Sequence, residues 1–284
     1  MTGAVAPAAS APVASAPVPS ADAASAEGTL FAGRVALISG AAQGIGAATA
    51  RGFVAGGGRA VLADCNGPGV AALAAELGPA AVAVTLDVTD EAGWAGAVGE
   101  AVARFGRLTD LFNVAGISAA GDIEAADPAH WARIMAVNLT GPYLGCRAAL
   151  PALVASGSAD CSIVTVGSML ALRPTAGFAA YSAAKAGVTA LTRSVALHCA
   201  AKSYPVRVNA VHPGGTHTPM VDAVLDGMSG DRAANARRFA AKLPLGRLGL
   251  AEEVAAAILF LASPAAGFIT AIDLPVDGGG SNRE

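Results

Sequence analysis

From Arg34 to the end, the chain alternates short apolar runs with Ala-rich stretches, and this alternation limits the fold more than any other feature. The apolar runs at 35–38, 59–63, 81–86, 108–112, 161–166, 206–211 and 271–276 are predicted strands. Helices are predicted between them at 44–56, 71–77, 90–105, 128–135, 141–155 and 178–202, with helical pieces in 219–242 and 252–262. The runs are nearly continuous in apolar character, so each strand should be covered on both faces, as in a parallel sheet. Strands alternating with helices then give an α/β fold: one doubly wound, seven-stranded parallel sheet with helices on both sides. Pro275 lies inside the last run and suits an edge strand, because proline cannot donate to a ladder.

Residues 1–28 break the pattern. They are almost wholly Ala, Pro, Ser, Val and Gly, which cannot bury enough surface to offset ordering, so a disordered tail is expected. The tail lacks the charged start and continuous apolar stretch of a signal peptide and the arginines of a transit peptide. No later run approaches the roughly 18 apolar residues of a membrane span. The remaining segment, 29–284, is long enough for one large α/β domain. Net charge is −3 with no Lys/Arg cluster, which argues against nucleic acid or an anionic membrane as partner. Cys65, Cys146, Cys161 and Cys199 form no CxxC motif and read as small buried hydrophobes in a reducing, cytoplasmic setting. His130, His198, His212 and His217 show no ligand spacing, so no metal is expected.

The turn Ser39-Gly40-Ala-Ala-Gln43-Gly44-Ile45-Gly46 joins the first strand to the first helix. Glycines there allow a tight turn and close backbone approach, and the helix start offers free N–H groups to a pyrophosphate. Asp64 ends the second strand, where a carboxylate can accept hydrogen bonds from an adenosine ribose and would repel a 2′-phosphate. That favours NAD over NADP. Asp87-Val88 and Asn113-Val-Ala115-Gly116 follow the third and fourth strands, at the carboxyl ends where open α/β sheets bind ligands. Asp87 could meet an adenine amino group. Tyr181 and Lys185 stand four apart on the long helix and share a face. An ammonium there favours the phenolate and should lower the phenol pKa, making the pair a proton-transfer device.

With these motifs, Val137-Asn138, Ser168 thirteen residues before Tyr181, Val208-Asn-Ala-Val-His-Pro213-Gly214, Thr218-Pro-Met220 and Val276-Asp-Gly-Gly279, the chain resembles the short-chain dehydrogenase/reductase family over about 30–280. The resemblance implies a Rossmann-type catalytic domain at 29–284. It implies that Tyr181 is the acid/base, Lys185 lowers the Tyr181 pKa and binds the nicotinamide ribose, Ser168 stabilises the substrate oxygen, and Asn138 holds a water of a proton relay. It places Gly40, Gln43, Gly44, Ile45, Gly46, Asp64, Asp87, Val88, Asn113, Ala115, Gly116, Pro213, Gly214, Thr216, Thr218 and Met220 around the NAD. It implies a substrate lid at about 217–245, and a homotetramer built on the helices near 141–155 and 178–202 and the last strand. Two positions depart from the family pattern: Val114 replaces an Asn, and Gly167 replaces a Ser and could loosen the loop of Ser168.

Met220, Val221, Val224, Leu225 and Met228 form an apolar stripe at helical spacing, which fits either core packing or a substrate wall. Leu170, Leu172, Phe178 and His217 are further pocket candidates. The expected substrate is an apolar secondary alcohol or ketone, cyclic or steroid-like, as in the bacterial hydroxysteroid and cyclic-alcohol dehydrogenases that the 197–220 run resembles. An NADPH-linked 3-oxoacyl reductase and a non-catalytic NAD-binding sensor are the alternatives.

Overall fold

The computed structural model describes residues 29–124, 126–228 and 230–282. The expected disordered tail at 1–28 lies outside the described residues. Seven strands are present: β1 (Val35–Ser39), β2 (Arg59–Asp64), β3 (Ala81–Thr85), β4 (Asp110–Asn113), β5 (Cys161–Val166), β6 (Val206–Pro213) and β7 (Asp273–Val276). They form one sheet in the order β3-β2-β1-β4-β5-β6-β7, parallel at every pairing. This is a Rossmann-like sheet. Pro275 lies on β7, an edge strand, where its missing N–H costs no ladder bond.

The strand periodicity sorts side chains to two faces. Leu37, Val61, Leu111, Ile163 and Val208 pack against α3 (Glu91–Phe105), α5 (Gly141–Ala155) and α7 (Ala179–Ala201), around fully buried Trp94. Ile38, Leu62, Phe112, Val164 and Val211 face α1 (Gly44–Ala55), α2 (Gly67–Leu77) and α10 (Ala251–Ala262), where Phe53 stacks on Phe31.

Several boundaries differ from expectation for local reasons. α2 starts at Gly67, not 71, because the Asn66 side chain accepts from Gly69 N–H and Pro68 sits in the first turn. β4 starts at Asp110, not 108, with the Thr109 N–H already on the Val35 carbonyl at its approach to β1. β7 loses its first two residues because Ala271 adopts φ +62°, outside the strand region. A short helix, α6 (Met169–Leu172), was not anticipated.

At the amino ends of the strands, Arg34 forms a forked pair with buried Asp110 at 2.6 and 2.9 Å. Arg207 binds Asp160 and donates to the carbonyls of Leu261 and Ala262, the last residues of α10, and of Ser263, which caps it. Burial pushes the Asp110 carboxyl up to about 6 although Arg34 opposes it. The opposite edge of the sheet is left for binding. There β1 connects to one side and β4 to the other, which opens a crevice at the topological switch point.

Candidate active site

The glycine turn is built by close approach. Gly40 has φ +69°, and a Cβ there would lie 2.7 Å from the Ala115 backbone. A Cβ on Gly46 would lie 2.1 Å from the Gly40 carbonyl oxygen, so α1 begins directly on the turn. The Gln43 side chain makes no capping bond, which leaves the first N–H groups of α1 facing the crevice unpartnered by it. Asp64 Oδ2 accepts from Ala42 N–H at 3.1 Å and Oδ1 from Asn66 N–H at 2.9 Å, so the carboxylate braces the turn from the end of β2. A cradle that any Cβ would fill, open helix N–H groups and a carboxylate at the rim fit a nicotinamide dinucleotide.

Asp87 accepts from the N–H and hydroxyl of Thr89, which hold its carboxyl below the usual range. Ser39 Oγ accepts from Val114 and Ala115 N–H, fixing the 114–116 segment over β1.

The chemistry-bearing residues come from three elements. Ser168 ends the loop after β5 and caps α6, its hydroxyl accepting from Leu170 N–H at 3.1 Å. Tyr181 and Lys185 project from α7. The Ser168 hydroxyl stands close enough to Tyr181 to favour its phenolate, and Lys185 Nζ lies 5.7 Å from the centre of the Tyr181 ring. Lys185 is buried and donates to the Val166 carbonyl at 2.8 Å. Burial alone pulls its ammonium down to about 8.

The expected lowering of the Tyr181 phenol is not what the site produces. Burial pushes that phenol up, and what opposes the rise is the Ser168 hydroxyl, not Lys185. Tyr181 and Lys185 are both driven toward their neutral forms, because removal from water penalises the charged form of each.

Asn138 lies in a π-helical turn, Ala136–Thr140, between α4 (Pro128–Met135) and α5. It is fully buried. Its Nδ2 donates to the carbonyls of Ile117 and Ile134, and its Oδ1 accepts from Ile117 N–H. The amide is thus largely spent on backbone, and a lone pair of Oδ1 remains on the Gly116 side, where Lys185 Nζ also approaches.

Ser168, Tyr181 and Lys185 line a crevice of about 820 Å³, and Asn138 lies behind its wall. Its walls include every expected cofactor residue except Asn113, together with Ser168, Leu170, Phe178 and Val221. Several expectations are corrected. Asn113 turns into the core toward Thr165 and Cys146. His217 is exposed, Leu225 is buried beneath α8 (Pro219–Asp226), and Leu172 points to solvent, so none of these lines the crevice. At Gly167 there is no room for a side chain: a Cβ there would sit 2.4 Å from the His212 ring.

The stripe on α8 divides. Met220, Val221 and Val224 face the crevice, while Leu225 packs inward. Residues not anticipated complete the wall: Met169, Thr175, Phe239, Lys242 and Leu243. Phe239 comes from a polar-looking helix, α9 (Arg232–Ala240), and Lys242 from the turn after it, both within the lid segment that the family resemblance implies. Among the described residues no cluster of His, Cys, Asp and Glu could hold a metal. No described helix is long and apolar enough to cross a membrane.

Comparison with known proteins agrees with this geometry. The family model described as enoyl-(acyl carrier protein) reductase matches residues 40–281. A 2,5-dichloro-2,5-cyclohexadiene-1,4-diol dehydrogenase of Sphingobium indicum is 41% identical over 253 residues, 88% of this chain and 97% of that protein. A 3-alpha-(or 20-beta)-hydroxysteroid dehydrogenase of Mycobacterium bovis is 39% identical over 247 residues, 87% of this chain and 89% of that one. Among solved structures, a 3-ketoacyl-(acyl-carrier-protein) reductase from Brucella melitensis complexed with NADH superposes with a TM-score of 0.81 at 35% identity, covering 88% of this chain and 99% of that one.

Proposed function

The chain belongs to the short-chain dehydrogenase/reductase family and is an oxidoreductase acting on hydroxyl groups, and from that premise we propose that it interconverts an apolar, cyclic or steroid-like secondary alcohol and its ketone with NAD. The observation that carries the reading is that Ser168, Tyr181 and buried Lys185 line one crevice together, with Met220, Val221, Val224 and Phe239 on its outer wall beside Lys242.

When bound, the nicotinamide supplies the acceptor or donor of hydride. The protein's part is to hold and move a proton. In reduction, the neutral Tyr181 phenol, kept protonated by burial, gives its proton to the substrate oxygen. Ser168 Oγ hydrogen-bonds that oxygen and stabilises the charge developing on it. In oxidation Tyr181 first loses its proton toward the Lys185 and Asn138 side of the site, and its phenolate then takes the proton of the substrate hydroxyl. Lys185 binds the nicotinamide ribose, and Ser168 is the group that favours the phenolate. Asn138 fixes the π-turn and the 116–117 segment beside Lys185 and offers its remaining lone pair to a relay water.

Gly40, Gly44, Gly46 and the α1 N–H groups take the pyrophosphate, and Asp64 takes the adenosine ribose, which favours NAD over NADP. Met220, Val221, Val224, Leu170, Phe178 and Phe239 exclude water and select apolar substrates. The catalytic unit is the domain 29–284, assembled as a cytoplasmic homotetramer. Sedimentation of a species four times 27.5 kDa is expected, and a monomer would refute that assembly.

A second reading, a 3-oxoacyl reductase, is favoured by the name of the Brucella melitensis structure. One panel separates the two. The purified protein is given NAD with cyclohexanol, cyclohexanediols, 4-hydroxycyclohexanecarboxylates and 3α-hydroxysteroids at mildly alkaline pH, and NADH or NADPH with a 3-oxoacyl thioester. NADH formation from a cyclic alcohol, lost in Tyr181→Phe, is expected. Turnover of the thioester alone would select the second reading, and no turnover beyond Tyr181→Phe on any compound would leave a nucleotide-binding protein without this chemistry.

A further inference from the structure

Behind the crevice, on the side away from the cofactor loop, lies a chain of polar groups that the proposed chemistry does not use. His212, on β6, is fully buried. Its Nε2 lies 2.7 Å from Asp273 Oδ1 on β7, with Thr189 Oγ1 at 3.5 Å. Asp273 Oδ2 in turn accepts from Arg193 on α7 at 2.6 Å. The other ring nitrogen, Nδ1, lies 3.1 Å from Ser168 N and 2.9 Å from Ser168 O.

Hydrogen-bond accounting chooses between these two contacts. A carboxylate held by an arginine only accepts, so Nε2 carries a proton toward Asp273. The Ser168 carbonyl already accepts from Ala171 N–H at 2.9 Å. For the Ser168 N–H, Nδ1 is the acceptor the described residues provide. A neutral ring with Nε2–H and bare Nδ1 gives both Asp273 and the Ser168 N–H a partner and sets the bare Nδ1 beside a Ser168 carbonyl that Ala171 already serves, whereas a proton on Nδ1 would orphan a buried N–H.

The ring also fills the space that Gly167 leaves open. A Cβ at 167 would come within 2.4 Å of both Nδ1 and Cε1, and the ring is pinned on both sides and cannot yield. The glycine before Ser168 and the histidine on β6 are thus one steric unit.

We infer that His212 is a positioning residue: locked in one tautomer by the Asp273–Arg193 pair and seated against Gly167, it holds the Ser168 backbone so that the Ser168 hydroxyl meets both Tyr181 and the substrate oxygen. The inference rests on the reading of Ser168 as the group that stabilises that oxygen. It links a surface arginine on α7 and the edge strand β7 to the floor of the active site.

The test is a double-mutant cycle on kcat, using the cyclic alcohol that the panel shows to be oxidised fastest. Ser168→Ala alone tests the underlying reading through loss of turnover. His212→Leu is expected to lower kcat at least tenfold while NADH affinity, read by fluorescence titration, changes less than twofold. His212→Asn, whose Oδ1 can take the place of Nδ1, should restore most of the rate. In the Ser168→Ala background His212→Leu should change kcat less than twofold, because its route of action is gone. Equal loss in both backgrounds, or a wild-type rate in folded His212→Leu, would overturn the proposal. If His212→Leu fails to fold, Asp273→Asn is put through the same cycle, with a smaller loss expected that again vanishes in Ser168→Ala. Independently of turnover, ¹⁵N-histidine spectra, with His212 identified by its loss in His212→Asn, should show Nε2 protonated and Nδ1 bare. A proton on Nδ1 of the neutral ring would refute the assignment.

Discussion

Replacing Lys185 by Met should make the protein more stable at neutral pH while destroying its activity. The ammonium is buried among α7, β5 and the π-turn, and burial lowers its pKa from 10.5 to about 8. Every tenfold weakening of proton binding corresponds to about 1.4 kcal/mol of preference for the neutral form, so holding the charged lysine in the fold costs about 3 kcal/mol below pH 8. The group binds its proton more weakly when folded than when unfolded. The penalty is therefore complete below about pH 8, shrinks as pH rises through 8 to 10.5, and is absent above 10.5. Against this stands one hydrogen bond, Nζ to the Val166 carbonyl at 2.8 Å, with a net worth of about 1 kcal/mol. Lys185→Met removes both and keeps most of the buried apolar stem, so a gain of about 2 kcal/mol is expected near neutrality. Above pH 10.5 the sign should reverse, because only the lost hydrogen bond remains. Urea unfolding of both proteins across this range, without nucleotide so that ligand binding does not add to stability, measures the difference directly. A difference that is flat with pH, or that grows in favour of the variant as pH rises, would refute the reasoning.

Three further outcomes follow from other contacts. Gly46→Ala pushes a methyl to 2.1 Å from the Gly40 carbonyl and should weaken NADH binding at least tenfold by titration, with secondary structure by circular dichroism unchanged. Unaltered affinity would mean that the turn does not hold the pyrophosphate. Asp64→Ala removes both the rim carboxylate and the brace on Ala42 N–H, so NADH should bind more weakly and the NADH-to-NADPH affinity ratio should fall by about tenfold, roughly 1.4 kcal/mol; an unchanged ratio would assign cofactor choice elsewhere. Arg34→Met leaves Asp110 buried and unpaired, costing about 3–5 kcal/mol in urea unfolding above pH 6. Arg34 holds the Asp110 pKa down, so its loss raises that pKa further; the variant's carboxyl takes up its proton at higher pH than the wild type's, and the cost should shrink as pH falls toward 6 and level off below it, whereas a cost that stays constant through this range would show that Asp110 does not titrate there.

The two periodicities made most of this protein legible in its sequence. Continuous apolar runs of strand length between Ala-rich helical stretches specified a parallel sheet covered on both faces, and Pro275 marked its edge. The glycine turn, Asp64, Ser168, Tyr181 and Lys185 were identifiable because close backbone approach and proton transfer each need particular residue types at particular local spacings. Local rules also account for the boundary errors at α2 and β7, where a side-chain cap and a positive φ overrode composition.

What only the tertiary structure decided was which neighbour each side chain met. Asn113 closes β4 in a position that sequence places at the ligand edge, yet the strand's alternation turns its amide toward Thr165 and Cys146. The stripe on α8 split because a helix face is wider than the crevice it borders, so Leu225 went to the core and Val221 to the wall. Phe239, Lys242 and Leu243 joined that wall from the expected lid segment, where no local pattern singled them out. Whether the Tyr181 phenol became more or less acidic depended on how much protein surrounds it, which spacing on a helix does not specify. Gly167 looked like a loss of rigidity until His212, 45 residues later, was seen to occupy the space in which a side chain would stand. The sequence by itself determined the elements and the chemistry each can carry, because those follow from local backbone and side-chain properties. Packing alone decided burial, partners and protonation, because these depend on atoms brought together from strands far apart in the chain.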